Sequence, residues 1–80
     1  MKSQIKAYRK AHLFCEVCGM PDTQIHHIRT RGAGGSDDAT NLLALCYYHH
    51  TKIHAIGSRK FAYIHGLQEK FSTALNKRRS

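Results

Sequence analysis

The sequence predicts a small α+β fold held together by a structural metal. Three observations carry that expectation: two Cys/His half-sites at ligand spacing, two short apolar runs on either side of a glycine-rich stretch, and apolar residues at helical steps in the last third of the chain. The expected order is helix, knuckle, strand, loop, strand, helix, helix. The chain reads as a single domain over residues 1–80.

Residues 4–12 predict a short helix with Ser3 as its N-cap and Ile5 and Tyr8 three apart on one side. Gly19-Met20-Pro21-Asp22 is turn chemistry. Gln24 to Arg29 carries the β-branched Ile25 and Ile28 and reads as a strand. Residues 30–40 hold three glycines and no large apolar side chain, and read as loop. Leu42 to Leu45 is the second strand. Cys46 to Ile56 opens on a tight turn and becomes a helix closed by Gly57. Ser58 caps a last helix in which Phe61, Ile64, Leu67 or Gln68, Phe71 and Leu75 recur at three- and four-residue steps. A basic tail, Lys77-Arg78-Arg79, follows it.

A chain of 80 residues has little core to rely on, because domains of this size bury only about 60% of the surface that the unfolded form exposes. A staple is expected. The longest apolar run, Leu42 to Tyr48, is far short of the ~20 residues of a membrane span. No apolar stretch follows the basic N-terminus as in a signal peptide. These features predict a soluble protein of a reducing, cytoplasmic compartment. Thirteen Lys and Arg against five acids give a formal charge of +8, which argues for a polyanionic partner, most often nucleic acid.

Cys15-x2-Cys18 and Cys46-x2-His49 together offer the four donors of a closed tetrahedral zinc site. Such a site contributes on the order of 10 kcal/mol of apparent folding free energy, which supplies the staple. A redox Cys-x-x-Cys is the rival reading, but no thioredoxin-like βαβ pattern surrounds it. His49 and His50 are neighbours, and on spacing alone either completes the site.

Five of the seven histidines fall between residues 26 and 54. On a helix His50 and His54 share a face and can chelate one ion. His49 points about 100° away, which favours His49 for the knuckle and His50 for a different metal. His26 and His27 adjoin on a strand, so their side chains leave from opposite faces. One of the pair then suits a third metal ligand and the other a base. Three imidazoles leave positions open for water and a phosphate oxygen, as catalytic metals require. Imidazole favours Zn, Ni, Co or Mn over Mg. His12 and His65 read as solvated.

From Cys15 to about Ile56 these residues resemble the HNH endonuclease family, whose core is the treble-clef-like ββα-metal fold. The resemblance rests on His26-His27, Gly34-Gly35, Asn41-Leu42 and Leu45-Cys46-x2-His49-His50-x3-His54. Many members place Asp where His26 stands, and the all-histidine set is similar to the colicin-type DNases. Many zinc-bearing members have a fourth cysteine where His49 stands. The resemblance implies a metal-dependent endonuclease whose catalytic divalent ion is held by His26, His50 and His54. It makes His27 the general base and Asn41 the structural residue of the motif, able to pin a loop through backbone hydrogen bonds.

The same resemblance implies DNA as substrate, 5′-phosphate and 3′-hydroxyl products, and room for a larger phage or restriction assembly around the chain. Arg29, Arg31 and Lys52 are the candidate DNA contacts, although Lys52 stands two residues from each chelating histidine and so faces elsewhere. Arg59, Lys60 and the basic tail would widen the footprint. Contacts to phosphate rather than base edges predict weak sequence preference. The competing reading is a non-catalytic, zinc-stabilised nucleic-acid-binding module. It leaves His26, His50 and His54 without work.

Overall fold

A computed structural model describes residues 2–76 of the chain. Its elements are α1 (Lys2–Ala11), β1 (Gln24–His27), β2 (Leu42–Leu45), α2 (Tyr47–Ile56), α3 (Ser58–His65) and α4 (Gln68–Asn76). Two 3-10 turns, Arg31–Ala33 and Ala39–Asn41, lie between the strands. This is the α+β arrangement expected of a ββα domain with flanking helices.

The two strands pair antiparallel, with Gln24 opposite Leu45, Ile25 opposite Ala44, His26 opposite Leu43 and His27 opposite Leu42. All four β2 residues are fully buried, which explains why the run does not alternate with polar residues. On one face Leu43, Leu45 and Ile28 pack with Ile53, Phe61, Ala62, Phe71 and Ala74 of the C-terminal helices. On the other, Leu42 and Ala44 pack with Tyr8, Ile5 and Ile25. The sheet is thus a filling between α1 and the α2–α4 layer. Each of its buried leucines contributes about 1.5–3 kcal/mol by leaving water.

The outer edge of β2 is closed by Glu16. Its N–H donates to the Ala44 carbonyl at 2.9 Å, and its Oε2 accepts from the Ala44 N–H at 2.8 Å. The Tyr8 hydroxyl donates to the same carboxylate oxygen, and Lys70 donates to the Tyr8 hydroxyl at 3.0 Å. Burial and the adjoining Glu16 carboxylate both push the Tyr8 hydroxyl well above its ordinary pKa. One polar cluster therefore ties α1, the knuckle, β2 and α4.

Several boundaries differ from the sequence expectation. The first helix begins at Lys2, so Ser3 lies in its first turn rather than capping it. The first strand ends at His27 instead of Arg29, because the Asn41 side chain engages both the N–H and the C=O of Arg29. The stretch 30–40 is not plain loop, since two 3-10 turns organise it, and Asn41 closes the second of them just before β2. The last helix is two helices. Gly66 sits at φ 68°, a left-handed position that favours glycine, and the Leu67 N–H bonds the Ala62 carbonyl at 2.8 Å. The phase resets across that joint, so Phe61, Ala62, Phe71 and Ala74 face the core while Ile64 and Leu75 are exposed. Ser58 is the first residue of α3, with Gly57 in the cap position. The Lys77-Arg78-Arg79 tail lies outside the described residues.

Candidate functional site

Cys15 and Cys18 stand on a tight knuckle, closed by the Gly19 N–H to the Cys15 carbonyl at 2.9 Å and the Cys15 N–H to the Met20 carbonyl at 2.7 Å. Cys46 is the N-cap of α2, its Sγ accepting from the His49 N–H at 3.5 Å. These turns bring four ligand atoms, from Cys15, Cys18, Cys46 and His49, to within 4.8 Å of one another. The Cys18–Cys46 Sγ separation is 3.6 Å, and the His49 Nδ1 lies 3.4 Å from Cys46 Sγ and 3.9 Å from Cys15 Sγ. A tetrahedral zinc ion sets such atoms about 3.4–3.8 Å apart. Burial pushes the Cys15 thiol up, but backbone hydrogen bonds from Cys46, Cys18 and Val17 outweigh it and leave the pKa below the ordinary value. The donor set has the geometry and the chemistry of a structural metal site.

The second cluster is built across the sheet and α2. His26 projects from β1 toward the helix layer, and His50 and His54 project from successive turns of α2. Their ligand nitrogens also lie within 4.8 Å of one another. The His50 and His54 Nε2 atoms are 3.3 Å apart, which is about the spacing of two imidazole nitrogens on one tetrahedral ion. The His26 ring lies 5.3 Å, centroid to centroid, from each of the other two. His26 Nε2 is buried and has no hydrogen-bond partner among the described residues, a state that normally needs an explanation such as an ion. Burial, and then the charges of His50, His54 and His27, bring the His26 pKa down to about 4. It therefore keeps its lone pair at neutral pH. The His50 pKa is also lowered, by burial and by His54. The His50 Nδ1–H donates to the Gln24 Oε1, which fixes the ring with its Nε2 turned toward His54.

His27 leaves the opposite face of β1, and its Nε2–H donates to Asp37 Oδ1 at 2.8 Å. Asn41, 3% exposed, binds the intervening loop at both ends. Its Oδ1 accepts from the Arg29 N–H at 2.7 Å, and its Nδ2 donates to the Arg29 and Ser36 carbonyls at 2.9 and 2.8 Å. The loop turns on Gly35, where a Cβ would stand 1.8 Å from the Arg29 carbonyl oxygen. No side chain larger than hydrogen fits there.

Residues 15–55 match the family described as HNH endonuclease, which is just over half of the 80-residue chain. The chain belongs to that family. No curated protein matches it. Within the HNH frame, the structure assembles His26, His50 and His54 in one cluster and Cys15, Cys18, Cys46 and His49 in another, with the neighbours His49 and His50 divided between them by helical phase. No helix among the described residues is long and apolar enough to cross a membrane.

The basic residues are less uniform. The Arg29 guanidinium donates to the Ala33 carbonyl at 2.7 Å and the Leu75 carbonyl at 2.6 Å, and so anchors α4 to the loop. Lys52 is exposed on α2, whereas the Arg31 side chain lies outside the described residues. His65 is half-buried rather than freely solvated as expected. It packs 5.3 Å from the His49 ring and 4.5 Å from Phe61, because α3 folds back along α2 and brings its last residue beside the first turn of α2. His12 stacks on Tyr8 at 4.0 Å.

Sequence reasoning missed Asp37, Gln24 and Glu16. Gln24 was legible in principle, since it precedes the histidine pair by an even step on a strand and so shares a face with His26. Asp37 carried no local signal beyond its place in a polar loop.

Proposed function

We propose that this HNH protein is a metal-dependent endonuclease that hydrolyses DNA phosphodiester bonds with little sequence preference, residues 1–80 acting as one unit. The observation that carries the reading is the triplet of imidazoles, one of them buried and unpartnered, set across the strand from a carboxylate-bonded fourth imidazole. His26, His50 and His54 would hold the catalytic ion, in an all-histidine set that we read as colicin-DNase-like. Zn, Ni, Co and Mn suit these donors better than Mg. When bound, the ion would supply positive charge that offsets the negative charge developing on the phosphate and the leaving oxygen. Cys15, Cys18, Cys46 and His49 would hold a structural zinc.

His27 acts as general base. Its Nδ1 takes a proton from a water molecule as the water oxygen forms a bond to phosphorus. The bond from phosphorus to the 3′ oxygen breaks, its electron pair staying on that oxygen, which is then protonated by solvent. The products carry 5′-phosphate and 3′-hydroxyl ends. Asn41 holds the Arg29–Ser36 loop against the strand, which keeps the surroundings of His27 fixed through the reaction. Arg29, through donors other than those on Ala33 and Leu75, Arg31 and Lys52 bind backbone phosphate.

The test is relaxation of supercoiled plasmid by zinc-loaded protein with each divalent ion, comparing the native chain with His27→Ala. A rate lower by about 10²–10⁴ is expected for the variant, with metal content and DNA binding retained. Equal cleavage by the variant would remove His27 from the mechanism. Binding without cleavage under any ion would leave a non-catalytic nucleic-acid module.

A further inference from the structure

We infer that Asp37 is the positioning residue that sets the tautomer of His27, an inference that rests on the reading of His27 as the base. An ionised carboxylate only accepts hydrogen bonds. With Asp37 Oδ1 at 2.8 Å from His27 Nε2, the imidazole proton sits on Nε2 and the lone pair on Nδ1. No hydrogen bond among the described residues engages that Nδ1. A neutral imidazole otherwise distributes its proton between two nitrogens, and only one of the two forms can take a proton at a given position.

The pair is built rather than casual. Its side chains are only 19% and 11% exposed, so water competes weakly for the bond. Both ends are held independently of the pair. The His27 backbone is paired with Leu42 in the sheet. Asp37 follows Ser36, whose carbonyl accepts from the buried Asn41 at 2.8 Å, and the chain enters through Gly35, packed on the Arg29 carbonyl. Asn41 thereby reaches His27 through Ser36 and Asp37, and the loop length between strands is what delivers the carboxylate. Asp37 is separate from the imidazole triplet: His27 and His26 leave opposite faces of β1, and the ligand group contains no carboxylate.

Asp37→Asn and Asp37→Glu separate this role from a merely structural one. The amide of Asp37→Asn preserves the shape of the loop but can donate to Nε2, moving the imidazole proton to Nδ1. Plasmid cleavage by the zinc-loaded chain should then fall about a hundredfold or more in kcat, with KM and metal content unchanged. Long-range 15N–1H spectra should show the His27 proton leaving Nε2. Asp37→Glu keeps an acceptor and should lie within about tenfold of the native chain. Cleavage by Asp37→Asn within about threefold of the native kcat, a loss confined to KM or metal content, or a proton that stays on Nε2 overturns the inference. Should the native chain cleave nothing, the endonuclease reading fails on its own, and the spectra still decide whether Asp37 sets the tautomer.

Discussion

Replacing Asn41 by Ala removes three hydrogen bonds at once from a side chain that is 3% exposed. A typical internal hydrogen bond contributes about 1 kcal/mol net, so the loss amounts to about 3 kcal/mol. Arg29 and Ser36 are half-buried, so water can partly replace the amide. For a domain of this size that loss lowers Tm by roughly 12–24 °C. Circular dichroism melting of the zinc-loaded protein measures it. Asn41→Asp is expected to do no better than Ala. It keeps an acceptor for the Arg29 N–H but sets a carboxylate oxygen against the Arg29 and Ser36 carbonyl oxygens. A Tm within about 2 °C of the native protein for either variant would refute the assignment of Asn41 as the clasp of the loop.

Gly35→Ala places a Cβ 1.8 Å from a backbone oxygen, where contacts under 3.0 Å force movement, so a destabilisation near the ~3 kcal/mol upper end of overpacking is expected from urea titration. Cys15→Ser, or a strong chelator on the native chain, should abolish cooperative unfolding, and a folded zinc-free Cys15→Ser protein would contradict the staple. Affinity for Co2+ at the imidazole triplet should fall over a window on the acid side of an ordinary histidine's pKa, because protons compete for nitrogen lone pairs and burial and His54 hold the His50 pKa below its ordinary value. The His26 pKa is lowered to about 4, so its own protonation enters only toward the acid end of that window, and calorimetric titrations at stepped pH follow the loss.

The parts of this molecule readable from sequence are those decided within a few residues. Gly57 closes α2 as expected, because a glycine can end a helix, and the tight turn expected at Cys46 is the N-cap of that helix. The separation of His49 from His50 follows from helical phase alone. Leu42–Leu45 reads as a strand because it is a short apolar stretch between the loop and the tight turn expected at Cys46, and burial on both faces explains the lack of alternation.

What escaped was set by contacts between distant residues. The break at Gly66 was hidden because Phe61, Ile64, Phe71 and Leu75 keep helical steps through it. Only packing of Phe71 and Ala74 against the sheet requires the chain to turn there. Strand β1 stops short because a side chain twelve residues later engages Arg29. Arg29 looked like a free cation in the sequence, yet its guanidinium binds the Leu75 carbonyl on the far side of the chain. Asp37 meets His27 only through the fold of a loop held by Asn41, whose side chain binds the neighbouring Ser36 carbonyl.

The central claim is that this scaffold takes two separate cations, one among thiolates and one among imidazoles. Crystals grown with zinc and cobalt, with diffraction measured above and below each metal edge, test it most directly. Two anomalous peaks per chain are predicted, one between Cys15, Cys18, Cys46 and His49 and one between His26, His50 and His54, the second alone vanishing in His26→Ala. A single peak at the thiolates, with the three imidazoles turned away from one another, would contradict it.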